Sequence, residues 1–448
     1  MGKDNRGRMR RMGRIVAAAL VMGALFLMAG GSASAAPASK HNAGVAVRWF
    51  SLLHDLIRDE KLPPTISSRA IGYAGVTLYE AVVQGIPNHQ SLGGQLNELP
   101  PLPVVKPGKN LHWPTAANAA MAVVMRNLFA NAAAASKAKI DTLEHELAGQ
   151  YAPGLHPANK LFAVSTAHGR AVGEAIIAWK AGDGFATLSV CSYTPPTGAG
   201  LWVPTPPAFK PALHPCWGQM RTFVLTSGGE CAPPPPPAYS TDPNSDFYRE
   251  GREVYDVDTN LTAEQEAIAR FWSDDPGLTG TPPGHWVSIV SQLAVRDGWR
   301  LDTAAEAYVR VGLGVADAFI SCWETKYQEN LLRPVTYIQA LFDPNWLPLL
   351  GTPAFPEYSS GHSTQSGAAS ALLTEMLGVV AFTDHTHDAR GLPSRSFDSF
   401  AAAADEAAIS RLYGGIHYRA AIAVGLDQGR CVAGAIHDRV EFLKEDDE

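Results

Sequence analysis

Three short segments hold the side chains whose types and spacing could do chemistry. In "KYQENLLRP", Lys326 and Arg333 lie seven residues apart, close to two helical turns, so a helix would project both from one face. Pro334 disfavours helical geometry at Arg333 and puts that arginine at a helix break. In "YSSGHSTQSG", Ser360, Gly361 and His362 fall where a new helix begins, and its free amides point outward as an anion site. Gly361 lets the backbone approach a ligand closely. In "SRLYGGIHYR", Arg411 ends one helix, Gly414 and Gly415 break the geometry, and His417 begins the next. On a continuous helix Arg411 and His417 would face different ways, so the glycine break is what lets them converge.

Each segment also has an ordinary reading. Cations near a helix end favour its dipole, a serine caps a helix, and a glycine pair makes a helix-turn-helix corner. Taken together, the segments supply three cations, a helix N-terminus, a serine hydroxyl and two histidines. That set suits a tetrahedral oxyanion passing through a five-coordinate state, with charge on the equatorial oxygens and histidines near the axial ones.

In this order K-x6-R-P, P-x-x-S-S-G-H and S-R-x5-H resemble the signature of the vanadium-dependent haloperoxidase and type 2 phosphatidic acid phosphatase superfamily. "SSRAIGYAGVTLYEAV", "LWVPTPPAF", "ARFWSDDPGLTGTPPGHW" and "EAAISRLYGGIHY" are similar to its bacterial haloperoxidase-like branch, so the resemblance covers nearly the whole mature chain. It implies that Lys326, Arg333 and Arg411 neutralise the equatorial oxygens and that Ser360 and the Gly361 amide hydrogen-bond to the oxyanion. It implies that His417 is the axial ligand of vanadate, or the nucleophile if phosphate occupies the same site, and that His362 is the general acid/base. The expected reaction is oxidation of halide by hydrogen peroxide. The alternative is hydrolysis of a small phosphoester through phospho-His417, and a third reading is a non-catalytic oxyanion-binding protein.

Two positions depart from the pattern. Many members carry an aspartate four residues after the axial histidine, where it orients the imidazole; here that residue is Ala421. A missing carboxylate would cost tautomer control. Leu332 stands before Arg333 where many relatives have tryptophan, which bears on halide preference. Two further clusters compete for attention. "TDHTHD" offers Asp384, His385, His387 and Asp388 for a surface metal, although a solvated loop is the expected state. "TPPGHW", with His285 and Trp286, is read as part of the pocket entrance or as a proline-terminated turn.

The elements that must position these residues read as helices throughout. Helical patterns run through "AVRWFSLLHDLIRDE", "ISSRAIGYAGVTLYEAVVQ", "TAANAAMAVVMRNLFANA", "ASKAKIDTLEHELAGQYA" and "ANKLFAVSTAHGRAVGEAIIAWK". They resume with "LTAEQEAIARFW", one long run from Trp286 to Glu329, "STQSGAASALLTEMLGVVA", "SFAAAADEAAISRLY" and the stretch after His417. The expected fold is all-α: two packed four-helix-type bundles, residues 37–191 and 241–448, the second carrying the oxyanion site. Residues 192–240 are proline-rich, with 12 of the 33 prolines, and read as a long ordered loop rather than a linker, because Trp202, Phe209, Trp217 and Phe223 are too aromatic for solvent.

The bulk properties bound the function. The 448 residues are 46% apolar and 18% charged, a globular composition, and the net charge of −7 argues against a nucleic-acid partner. Arginines before "IVAAALVMGALFLMAG", followed by "SASAA", form a secretory signal peptide over residues 1–36. The mature chain is therefore expected outside the cytoplasm without a stable membrane span. Of five cysteines, one disulfide is expected among Cys191, Cys216 and Cys231, with Cys322 and Cys431 as buried thiols.

Overall fold

The computed structural model describes residues 36–106, 110–152 and 160–444. The expected signal peptide lies outside the described residues but for Ala36. Fourteen α-helices occur among them: α1 (Gly44–Asp59), α2 (Pro64–Val82), α3 (Trp113–Leu128), α4 (Ala134–Tyr151), α5 (Lys160–Lys180), α6 (Phe185–Leu188) and α7 (Asp246–Thr259). Then follow α8 (Ala263–Phe271), α9 (Thr281–Arg296), α10 (Leu301–Glu329), α11 (Pro334–Leu341), α12 (Gly361–Leu377), α13 (Phe400–Tyr413) and α14 (Arg419–Arg439). The all-α expectation holds except for one antiparallel ribbon between α12 and α13, which pairs β1 (Phe382–Asp384) with β2 (Arg395–Phe397).

Local chemistry sets the helix ends. Pro64 and Pro334 occupy the first turns of α2 and α11, where a missing N–H costs nothing. Thr262 and Gln265 form a reciprocal capping box at the start of α8. The run read as one helix from Trp286 to Glu329 is in fact two. Gly298 at φ +61 turns the chain between α9 and α10. Helices α7 and α11 were not expected: α11 is short at 8 residues, and charged residues break up the apolar pattern of α7.

Helix α10 is the common wall. It packs most extensively on α2 from one side and on α12 and α14 from the other. The crossing of α2 and α10 rests on glycine from both sides. A Cβ at Gly75 would stand 2.8 Å from the Tyr308 carbonyl oxygen, and one at Gly312 would stand 3.0 Å from that of Ile71. Where α12 meets α14, a Cβ at Gly429 would run into the Thr364 carbonyl and stand 2.7 Å from the Ala368 nitrogen. This crossing fixes the start of α12, because the Ser360 amide donates to the Ala421 carbonyl of α14 at 3.1 Å.

The proline-rich segment crosses the body as ordered chain. Trp202, Trp217 and Phe223 are buried, whereas Phe209 is 62% exposed, contrary to its reading as a packing residue. The Trp202 amide donates to the Asn330 carbonyl at 2.7 Å, and the Leu332 amide donates back to Gly200 at 3.0 Å. The Leu213 carbonyl accepts from Trp323 Nε1 at 3.2 Å and from Tyr327 Oη at 2.7 Å. The segment thus straps the end of α10, where Lys326 and Arg333 sit.

Two disulfides staple this region, Cys191–Cys216 and Cys231–Cys431. The first agrees with expectation. The second corrects the reading of Cys431 as a buried thiol: it lies on the outer face of α14, within reach of the strap. Cys322 is the buried free thiol.

Replacing Gly429 by alanine should therefore destabilise the protein by about 1–3 kcal/mol. In urea titration this would be read as a lower midpoint at unchanged slope, and an unaltered midpoint would disprove the contact.

Candidate oxyanion site

The residues singled out for the oxyanion come from five places in the chain, three of them from the start of α12. Lys326 comes from the last turn of α10, and Arg333 is the N-cap of α11. Ser360 is the N-cap of α12, its hydroxyl accepting from the Ser363 amide at 3.3 Å. Gly361 and His362 follow in the open first turn, where no carbonyl lies one turn below their amides. Arg411 comes from the last turn of α13, and His417 from the turn before α14, made possible by Gly415 at φ +71.

His417 is the meeting point. Burial holds its imidazole neutral, with a pKa well below the usual value, and the charges of Arg333, Lys326 and Arg411 press in the same direction. Its Nε2 lies 3.3 Å from Arg333 Nη1, a group that can only donate. Nε2 is therefore the lone-pair nitrogen, and Nδ1 carries the proton.

That proton goes to a residue the sequence reading missed. Glu357 Oε1 lies 2.7 Å from His417 Nδ1 and also accepts from the Tyr418 amide at 2.9 Å. Ala421 is buried, and the role of orienting carboxylate falls to Glu357, from the chain before α12. Glu357 falls at a variable position inside P-x-x-S-S-G-H. The available signal was its isolation, for it is the only acidic residue between Asp343 and Glu375. Burial pushes its pKa up to about 7, against the pull of Arg333 and Lys326.

The three cations are fully buried, and among the described residues none of them makes an ion pair with a carboxylate within 4.0 Å. Backbone carbonyls solvate them instead. Lys326 Nζ donates to Pro356 at 3.1 Å, to Glu357 at 2.9 Å, and to Ser359. Arg333 donates to Phe355 at 2.8 Å and to Ile416 at 2.9 Å. Arg411 Nη2 donates to Trp272 at 2.7 Å and to Ala269 at 3.2 Å. Burial pulls Lys326 down to about 8 and both arginines to about 10, so all three remain charged at neutral pH. Phe355 lies beneath two of them, 5.2 Å from Lys326 Nζ and 4.9 Å from Arg333 Cζ.

His362 completes the ring of groups. It is partly buried and, by burial and the nearby Arg411 charge, neutral. Its Nε2 and Arg333 Nη2 are buried polar atoms with no partner. Uncompensated buried cations, two orphan nitrogens and a lone pair on His417 are what a tetrahedral oxyanion such as vanadate would satisfy.

The competing clusters turn out differently from their reading. His285 and Trp286 are fully buried within α9, so they form neither a pocket entrance nor a proline-terminated turn; Pro282 and Pro283 open the helix. The "TDHTHD" stretch is not wholly solvated. His385 and Asp388 are exposed and pair at 2.9 Å, but Asp384 and His387 are buried against α9 and the segment after α8. Leu332 is buried in an apolar cluster with Phe247 and Tyr337 rather than in the cradle.

Comparison with known proteins supplies the family. A family model described as the VCPO second helical-bundle domain matches residues 341–445, which include Ser360 to His362, Arg411 and His417 but not Lys326 or Arg333. Vanadium chloroperoxidase of Curvularia inaequalis is 31% identical over an alignment taking in 25% of this chain and 22% of that protein. The crystal structure of a holo-type bacterial vanadium-dependent chloroperoxidase shares the fold, with a TM-score of 0.66 and 17% identity, covering 86% of this chain and 93% of that one. The crystal structure described as the first bacterial vanadium-dependent iodoperoxidase superposes with a TM-score of 0.83 and 38% identity, covering 90% of this chain and 98% of that one. At that identity over almost the full length of a solved relative, the chain belongs to the vanadium-dependent haloperoxidase family.

Proposed function

We propose that the protein is an exported haloperoxidase that holds vanadate against His417 and uses hydrogen peroxide to oxidise halide, iodide foremost. The observation that carries this reading is a set of three buried cations, none ion-paired to a carboxylate within 4.0 Å, whose charges all act on His417. Iodide is favoured because the relative at 38% identity over 90% of this chain is an iodoperoxidase, whereas the bacterial chloroperoxidase at 17% is alike in fold alone and the Curvularia inaequalis chloroperoxidase matches over 25% of this chain. Export is supported by two disulfides, which persist in oxidising compartments. None of the described helices is long and apolar enough to cross a membrane.

The roles follow from the geometry. Lys326, Arg333 and Arg411 would supply positive charge to a bound oxyanion, and Arg333 Nη2 has a hydrogen-bond direction to spare. Ser360 and the Gly361 amide offer donors at the helix N-terminus. Glu357 keeps the His417 proton on Nδ1, so that Nε2 is free to ligate. His362, neutral and with Nε2 unpartnered, is the base that takes a proton from hydrogen peroxide. Bound vanadate supplies a Lewis acid that activates peroxide toward halide, so the chain needs no redox-active side chain of its own.

Iodide oxidation that requires added vanadate and disappears in His417→Ala is the expected result, with chloride and bromide assayed in parallel. Hydrolysis of a phosphate monoester without any halide oxidation would overturn it and make His417 a phosphate nucleophile.

Glu357→Ala should weaken vanadate binding about 10–100-fold, with Glu357→Gln closer to wild type because an acceptor oxygen remains. Equal affinity in all three proteins, by equilibrium titration, would remove Glu357 from this role.

In the anion-free protein Lys326 is protonated below about pH 8 and attracts the oxyanion there; as pH rises through about 8 that attraction is lost. The affinity ratio of wild type to Lys326→Met should therefore fall toward one across this range. Measuring a ratio cancels the oxyanion's own titration, and a ratio constant with pH would refute the assignment.

A further inference from the structure

A second cluster of chemistry-bearing side chains lies behind the oxyanion site and has no part in the roles above. Asp274, from the segment after α8, His285, from the first turns of α9, and His387, from the loop after β1, are each at most 2% exposed. One ligand atom from each lies within 4.8 Å of the others. His285 Nδ1 is 2.8 Å from Asp274 Oδ2, and its Nε2 is 2.6 Å from Asp384 Oδ2. His387 Nε2 is 3.2 Å from Asp274 Oδ1, yet both of these buried atoms lack a hydrogen-bond partner.

We propose that Asp274, His285 and His387 form a binding site for a divalent cation of the zinc type, separate from the vanadate site. A buried imidazole nitrogen and a carboxylate oxygen 3.2 Å apart, facing each other without an aligned hydrogen bond, are incompletely satisfied, and a cation between them would complete both. Ligands held at about 2.0–2.2 Å in tetrahedral geometry stand roughly 3.3–3.5 Å apart, close to the separation of the orphan pair. Two imidazoles and one carboxylate suit borderline cations such as zinc, whereas magnesium and calcium prefer all-oxygen shells. Asp384 is placed as the outer carboxylate: with Nδ1 on the cation, His285 Nε2–H donates to it, which fixes the tautomer. Thr386 and Gln292 in turn hold the other oxygen of Asp384, at 2.6 and 3.2 Å.

Two features oppose the cation and set the terms of the test. Without it, Asp274 and Asp384 outweigh burial and raise His285 to about 10, giving a closed imidazolium between two carboxylates. Loading must therefore expel the Nδ1 proton, and binding strengthens as pH rises. Arg390 Nη1 also approaches His387 Nδ1 at 3.4 Å. This arginine is exposed and can swing away when His387 carries its proton on Nδ1.

The site sits where it can steady the oxyanion cradle. The Trp272 ring stacks on His285 with centroids 4.3 Å apart, and the Trp272 carbonyl accepts from Arg411. The experiment uses the untagged full chain without vanadate, so it is independent of the haloperoxidase reading. The protein is incubated with zinc, dialysed and assayed for metal by mass spectrometry; a parallel sample is titrated with cobalt and followed by visible absorption. Retention of roughly one equivalent per chain and a tetrahedral cobalt spectrum are expected. Both should be lost in His387→Ala and kept in His385→Ala, which removes only the exposed imidazole. Failure of the wild type to retain zinc or to develop the cobalt bands overturns the proposal, even if His387→Ala does not fold. So does stoichiometric metal that persists in a folded His387→Ala protein.

Discussion

Like charges brought together inside a protein must be solvated by something, and the way this is done here governs the rest of the structure. Lys326, Arg333 and Arg411 are buried beside one another without a carboxylate at ion-pair distance. Seven carbonyl oxygens take that place, from Ala269, Trp272, Phe355, Pro356, Glu357, Ser359 and Ile416. A carbonyl offers a partial negative charge and no proton, so it lowers the cost of the cation without cancelling its field. A carboxylate in the same position would neutralise the attraction for an oxyanion. The irregular chain at 352–360 exists for this purpose: helical backbone would have spent those carbonyls on itself.

The same constraint explains why Glu357 is tolerable. It is turned to His417 Nδ1 and the Tyr418 amide rather than to the cations, while Asp274 and Asp275 act on Arg411 only from beyond ion-pair distance. Its elevated pKa marks how little of its charge is compensated. Orientation of the imidazole is thereby separated from neutralisation of the bound anion, with one group for each task.

Much of the cradle was legible in the sequence, because helix breaks are written in local chemistry. Pro334 after Arg333, Ser360 before Gly361, and the Gly414–Gly415 pair each mark a place where a side chain leaves the helical surface. What was not legible depends on pairings distant in the chain. Glu357 and Ala421 are 64 positions apart, and only the folded crossing of α12 and α14 shows that one stands in for the other's expected partner. Asp384 and His387 looked solvated because their neighbours in sequence are polar, whereas their burial comes from α9 and the segment after α8. The pairing of Cys431 with Cys231 was missed for the same reason, since helical periodicity reports one face of α14 and not what lies across from it.

The Cys231–Cys431 bond has a consequence for how the strap comes to lie where it does. It closes a loop of 200 residues, which lowers the entropy of the unfolded chain by an amount worth on the order of 5 kcal/mol in the chain-entropy account. The loop encloses every residue of the cradle, from Ala269 to His417. Once the bond has formed, the strap and the last helix can no longer drift apart, whatever the state of the helices between them. Sealing the cradle is then a local event at high effective concentration rather than a search by two distant ends. A chain made under reducing conditions would have to find the same arrangement without that head start.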